Sequence, residues 1–340
     1  MKDNQTAFVL AEDRPDFELG LRLALASLSR HAPNSLIRCH AHWANENFRN
    51  WSRQFPNIEL LVEKPGGGIG WNCKPHAMIP LIESGFEEVV WVDSDILVTR
   101  DPIAVFRKFA DDKLITAEEP TKPYAVPNSE EQAKAWGWQP GIKRLNHVNS
   151  CIIRSRPCHL ELLQAWALAM ADPRYLEEQK KPFCSRQRLA HMMGDQDVLF
   201  SLLGSEKFSY VSLETLKIGH DILHCGTAST YSIQRRLCSV FRPCPTFLHA
   251  IAGKPGWIFS DLYPTVHSPW QTWIHRLQQE ISPYVCQSRQ YSHLIGLPIP
   301  WLNKRTILGS MFHLLGLGNH ALTGFPLVLA SYLRKNKHPD

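Results

Sequence analysis

At 340 residues, 44% of them hydrophobic, the chain can bury a full core and is long enough for one large α/β domain or two smaller ones. Its formal charge of +5 is carried at the end: from Lys254 to Asp340 eight basic residues face only Asp261, Glu280 and Asp340, so the first 253 residues are neutral. A neutral body with a basic tail argues against a nucleic-acid partner, which calls for a basic stripe with stacking aromatics, and suits an anionic membrane surface.

In chain order, residues 7–11 form a short apolar strand, Glu12 to Asp16 a polar break, and residues 17–29 an amphipathic helix. This β-loop-α start is that of nucleotide-binding α/β folds, whose ligands sit at the carboxyl ends of parallel strands. Residues 37–43 and 58–62 are the next two strands. Gly66, Gly67, Gly68 and Gly70 follow without the Lys-Ser/Thr of a phosphate loop or the spacing of a dinucleotide fingerprint, so they predict a tight turn or mobile loop. Trp71 to Pro75 lead into a helix reaching about Ser84, with Lys74 close to its N-terminus. A cation at a helix N-terminus is disfavoured unless an anion joins it, so Lys74 either faces a ligand or lies in solvent.

Residues 89–92, Val-Val-Trp-Val, are an apolar run typical of a buried parallel strand, and they end in Asp93-Ser94-Asp95. In an extended chain the two carboxylates point to one side and repel unless a cation lies between them. Mg2+ or Mn2+ holding a phosphate ester fits, because hard cations take oxygen ligands and keep sites for substrate. A short helix from Asp101 to Phe109 and a strand over 114–117 come next. Residues 118–141 are predicted as a long polar loop, with Trp136 and Trp138 either stacking on a sugar or pinning the loop to the body. A strand over 147–153 carries Asn149 and Ser150 at its start, and residues 160–170 are a strongly apolar helix. At Asp195-Gln196-Asp197 a loop enters a helix; read as plain helix capping, Asp195 is the N-cap and Asp197 lies in the first turn. A strand over 245–248 delivers His249.

Together these pieces resemble the metal-dependent glycosyltransferases of the GT-A fold, most closely the retaining family 8 type, over residues 7–257. The resemblance rests on Asp93-Ser94-Asp95, on Asn149-Ser150 where the family has Asn-x-Gly, on Asp195-Gln196-Asp197, and on His249 with Gly253-Lys254-Pro255 and Trp257. It implies an α/β fold, a mostly parallel sheet flanked by helices, with catalytic domain 1–257 and a helical extension 258–340. It also implies roles. Asp93, Asp95 and His249 would bind Mn2+ or Mg2+, with Ser94 beside the donor, and Lys254 would neutralise the departing diphosphate. Ala11 and Asp13 would contact the nucleoside, while Lys74, Asn149 and Asp195 would hold sugar hydroxyls. Gln196 would lie near the anomeric carbon, opposite the leaving group, for front-face transfer with retention. The chain departs from the family at Cys151 after Asn149-Ser150, in the extra residues around Gly253 and Gly256, and at Pro15-Asp16, where relatives often carry a base-stacking aromatic.

The expected activity is hexosyl transfer from a nucleotide sugar, UDP-linked, to a glycan or lipid-linked acceptor. A nucleotidyltransferase would carry a Gly-rich signature after the first strand, and a non-catalytic scaffold would have lost metal ligands; this chain shows neither. Nine cysteines without a CxxC pair, and a start that leads straight into a strand without a signal peptide, predict a cytoplasmic setting. A zinc cluster of His220, His224, Cys225, Cys238 and Cys244 matches no established spacing. Residues 306–333 hold no Lys, Arg, Asp or Glu and are flanked by basic residues, so they form a bilayer-spanning helix, an interfacial element on the inner face of a membrane, or a helical cap or oligomer contact.

Overall fold

The computed structural model describes residues 6–66, 70–119, 128–182, 187–225, 237, 240–251, 282–319 and 321–323. Ten strands occur among them: β1 (Thr6–Ala11), β2 (Leu36–His40), β3 (Ile58–Leu61), β4 (Glu88–Val92), β5 (Ile96–Val98), β6 (Lys113–Glu118), β7 (Val148–Ser155), β8 (Ser212–Leu216), β9 (Ile222–His224) and β10 (Phe247–His249). The chain divides into two compact units. One comprises Met1–Pro15, Ala32–Ser94 and Ile103–Lys217; the other comprises Asp16–His31, Asp95–Pro102 and Ile218–Asp340. The expected boundary at residue 257 falls outside the described residues.

The first unit holds a seven-stranded sheet in the order β3-β2-β1-β4-β7-β6-β8. All its pairings are parallel except those of β7, which runs antiparallel to β4 and β6. The β4 sequence Glu-Val-Val-Trp-Val is buried throughout, as the central strand of a sheet covered on both faces must be. Helices Lys74–Glu83, Leu160–Met170 and Asp195–Leu203 supply the facing apolar side chains, including Met78, Leu163, Trp166 and Leu199. The Leu160–Met170 helix follows from its run of Leu, Ala and Met, residues that lose little freedom in a helix.

The second unit has a three-stranded sheet, β5-β10-β9, with β10 antiparallel to β5 and parallel to β9. Helix Glu18–His31 packs here, with Ser27 Oγ accepting from the Val98 backbone at 3.0 Å. Arg22, buried and ion-paired to Glu18, donates to the Ile295 carbonyl at 2.7 Å.

The stretch 118–141 differs from the expected loop. It contains the helix Ser129–Trp136, because Asn128 accepts from the Glu131 backbone as N-cap and Gly137, at φ 83°, closes the C-terminus in the left-handed region. Trp136 is buried in the core rather than exposed. The helix expected from Asp101 to Phe109 is a single turn, Ile103–Phe106.

Candidate active site

Helices that precede parallel strands begin at the carboxyl edge of the sheet. Lys74 opens the helix before β4, and Asp195 opens the helix before β8. β4 ends at Val92, so Asp93 stands at the same edge. The antiparallel β7 completes the cluster: with Val92 opposite Ile152, its earlier residues Asn149 and Ser150 extend past the end of β4. The Asp93 backbone N–H donates to the Cys151 carbonyl at 2.8 Å.

The result is a charged cluster around the buried Lys74, with Asp195 buried and Asp93 partly exposed. Lys74 Nζ lies 3.1 Å from Asp93 Oδ1 and 3.1 Å from Asp195 Oδ2. It also donates to Ser150 Oγ at 2.8 Å and to the Ser150 carbonyl at 3.1 Å. Burial opposes the ammonium charge, yet Asp195 and then Asp93 outweigh it and push the Lys74 pKa above its ordinary value. Ser150 Oγ donates to Asp195 Oδ2 at 2.6 Å, and Trp91 Nε1 donates to Asp93 Oδ1 at 2.6 Å. The Asp195 backbone carbonyl accepts from Trp166 Nε1 at 2.9 Å.

The alternatives of a solvent-exposed Lys74 and of Asp195 as a plain helix cap are not what the structure shows. Lys74 is only 3% exposed, so it is not a solvent lysine. Gly194, not Asp195, is the N-cap; Asp195 is the first helical residue, and its side chain turns to Lys74 and Ser150 because a buried ammonium needs a carboxylate more than a helix end does.

Next to this cluster, Glu119 Oε2 accepts from Asn149 Nδ2 at 2.9 Å and from Gln196 Nε2 at 3.1 Å. Glu119 thus orients two amides that the sequence singled out, and it was itself missed. Its only signal was position, one residue beyond β6, whose end reaches the same edge as β4. Asn149 Oδ1 accepts from the Cys151 backbone at 3.0 Å. The side-chain amide of Gln196 bonds through Nε2 to Glu119, and its Oε1 has no hydrogen-bond partner among the described residues.

At the end of β1, Asp13 Oδ2 accepts from the Gly70 backbone at 2.8 Å. Ala11, Asp13, Lys64 and Gly70 line a cleft of about 10 Å³, room for about one water. Glu12, which the sequence reading passed over, is buried and accepts from Ser94 Oγ at 2.6 Å.

In the second unit Asp95 and His249 meet. β10 runs antiparallel to β5 with His249 opposite Ile96, and the Ala250 backbone donates to the Asp95 carbonyl at 3.0 Å. His249 Nε2 lies 3.4 Å from Asp95 Oδ1, and both side chains are buried. On its other side, His249 Nδ1 lies 2.9 Å from Nδ1 of His224, the residue opposite it on β9. One imidazole donates and the other accepts. His224 therefore serves His249, while His220 pairs with Asp221 and the Cys225 thiol contacts the Leu223 carbonyl. The zinc cluster is not formed among the described residues, and Cys238 lies outside them. The extended-chain reason for Asp93 and Asp95 pointing to one side does not hold: β4 stops at Val92, and Ser94 and Asp95 form a turn before β5. Lys254 and Trp257 lie outside the described residues.

No family model and no curated protein matches the chain. Among solved structures, the apo form of WbbM, a bifunctional glycosyltransferase, aligns over 74% of this chain with 11% identity and a TM-score of 0.50. The fold is that of the GT-A glycosyltransferases. The aligned part is 46% of WbbM, so the chain spans about half of that protein. Also found are mouse xyloside xylosyltransferase 1 (TM-score 0.45, 14% identity, 74% of this chain and 99% of that one) and the galactosyltransferase LgtC with donor and acceptor sugar analogues (0.47, 13%, 87% and 98%). At 11% identity the likeness to WbbM speaks for the fold alone, and the chemistry rests on the residues above.

Proposed function

We propose that this chain is a metal-dependent glycosyltransferase that moves a hexosyl group from a nucleotide sugar, UDP-linked, to a glycan or lipid-linked acceptor with retention. In this reading residues 1–257 are the transferase and 258–340 its extension. The observation that carries it is the Asp93–Lys74–Asp195 cluster, with Lys74 and Asp195 buried and Asp93 partly exposed, at the carboxyl edge of a GT-A sheet. A buried ammonium held by two carboxylates costs more than an apolar core would, and such sites are retained where a fixed charge pattern is used.

The donor set fits a divalent cation. Asp95 offers a hard oxygen and His249 an imidazole nitrogen, with the second nitrogen of His249 held by His224 as in many metal sites. Asp93, two residues before Asp95, would add a second carboxylate. The imidazole favours Mn2+ over Mg2+. When bound, the ion neutralises charge on the donor diphosphate.

Lys74 has three N–H donors and four acceptors around it. Its part is therefore to hold Asp93 and Asp195 in place, and a sugar hydroxyl would have to replace one of those contacts. Asp195 and Asn149 would accept and donate to the sugar hydroxyls. Glu119 would hold Gln196 so that its free carbonyl oxygen faces the anomeric carbon as positive charge develops there. The acceptor oxygen would bond to that carbon on the face from which the phosphate departs. The electron pair of the broken C–O bond and the acceptor proton would both go to the phosphate, aided by Lys254. A base stacked near Ala11 and Asp13 would need their cleft to widen.

We further propose peripheral attachment to an anionic membrane, on the cytoplasmic face. Helix Ile307–Leu315 exposes Ile307, Met311, Leu314 and Leu315, one stripe at helical spacing, directly after Lys304 and Arg305. No described helix is long and apolar enough to cross a membrane.

The test of the function is a nucleotide-sugar panel scored for donor hydrolysis in Mn2+. Release of UDP from one member supports the reading, and no turnover with any member counts against it.

A further inference from the structure

A second cleft lies in the first unit, away from the charged cluster. It has a volume of about 720 Å³, within the roughly 300–1,000 Å³ of small-molecule sites. It opens between the ends of helices Ser129–Trp136 and Asp195–Leu203 and the side of Leu160–Met170. Asp195 begins one of these helices and Leu202, near its other end, lines the cleft, so the two are about 10 Å apart along the axis.

The cleft is preformed. Gly141 N–H donates to the Gly204 carbonyl at 2.8 Å, and Glu206 N–H donates to the Gln139 carbonyl at 2.8 Å. A side chain at Gly141 would meet the Ser205 carbonyl at 2.6 Å, so the two segments close tightly on each other. Above this floor, Trp136 and Trp138 stack with centroids 4.8 Å apart and planes within 6°. Trp136 is occupied by that stack, by Arg174 at 5.5 Å from its ring centroid, and by a hydrogen bond from its Nε1 to the His191 carbonyl. Trp138 is different. It is half-buried, has no second ring or cation partner among the described residues, and its indole N–H has no described acceptor. Leu168, 75% exposed, provides an apolar wall.

The charges in the cleft cancel. Arg174 is ion-paired with Asp172 at 2.8 Å and Lys207 with Glu161 at 3.0 Å, and the lining holds two acidic residues, Asp172 and Glu206, against two basic ones, Arg174 and Lys207. An anionic or cationic ligand would meet as many like charges as opposite ones. A ligand with an apolar C–H face and a rim of neutral hydroxyls would not: the face rests on Trp138, and the hydroxyls meet the indole N–H, Gln139 and the paired charges.

We infer that this cleft is a binding site for a neutral oligosaccharide, separate from the transfer site. It does not rest on the proposed activity. The test is calorimetric titration of the full chain in EDTA, without nucleotide, using maltohexaose, cellohexaose and β1,4-galactohexaose as probes. At least one should bind. Trp138→Ala should weaken that binding about tenfold, and Leu168→Arg, which places a long charged side chain on the cleft wall at an exposed position, should weaken it as well. Asp95→Ala should leave it unchanged. If Trp138→Ala does not fold, Leu168→Arg decides. Binding of none of the three probes, binding that survives the cleft variants, or binding lost with Asp95→Ala would each overturn the inference.

Discussion

Lys74 Nζ sits 3.1 Å from Asp195 Oδ2, and the two side chains are 4% and 8% exposed. The pair joins the first residue of one helix to the first residue of another, with Ser150 of β7 bonded to both. It ties three elements at the sheet edge through one charge.

Removing that charge should leave two carboxylates facing each other. Lys74→Met is expected to cost about 3–5 kcal/mol of stability, read as a lower urea midpoint. Adding Asp195→Asn should recover part of the loss, because the uncompensated charge is then gone. A Lys74→Met protein as stable as the parent would show that the cluster does not hold the edge together.

His147 and Asp197 form a second buried pair, with Nε2 3.2 Å from Oδ1 as an ion pair rather than an aligned hydrogen bond. Burial lowers the His147 pKa, but Asp197 more than restores it, so the net shift is above the ordinary 6.5. A raised folded-state value means the pair stabilises fully below 6.5 and loses that effect as pH rises through the folded value. The cost of His147→Gln should therefore shrink between about pH 6 and pH 8. Urea unfolding of both proteins across that range checks it, and a cost independent of pH would contradict it.

The parts read best from sequence were those set by local pattern. Helix Leu160–Met170 has the predicted bounds, and β4 and β10 deliver Asp93 and His249 as the apolar runs required. What escaped depended on partners distant in the chain. The antiparallel course of β7 brings Asn149 and Ser150 to the edge, and no local spacing encodes it. Glu119 gains meaning only once β6 and β7 are neighbours. Asp195 looked like a helix cap because a cap is a local solution; its actual partner is 121 residues earlier, Lys74. Asn128 and Gly137 were readable signals for the helix between them, obscured by the prolines on either side.

His224 should tune the metal through His249. The Nδ1–Nδ1 contact of 2.9 Å holds the ring with Nε2 towards Asp95. His224→Phe is expected to weaken Mn2+ binding by about 10–100-fold, measured by calorimetry or by the electron paramagnetic resonance of free Mn2+. Unchanged affinity would mean that His224 only fills space.

The exposed stripe on helix Ile307–Leu315 predicts sedimentation of the full chain with phosphatidylglycerol vesicles and not with phosphatidylcholine vesicles alone. Met311→Asp with Leu314→Asp should abolish it. Binding to neither vesicle type would remove the membrane proposal.

The central claim is that a cation held by Asp93, Asp95 and His249 activates a nucleotide sugar. Its most direct measurement is UDP release from a panel of UDP-sugars in Mn2+, compared with EDTA and with Asp95→Ala. The account predicts turnover of at least one donor with the parent protein in Mn2+, and none in EDTA or with Asp95→Ala. Equal turnover in EDTA and Mn2+, or an Asp95→Ala protein as active as the parent, would contradict it.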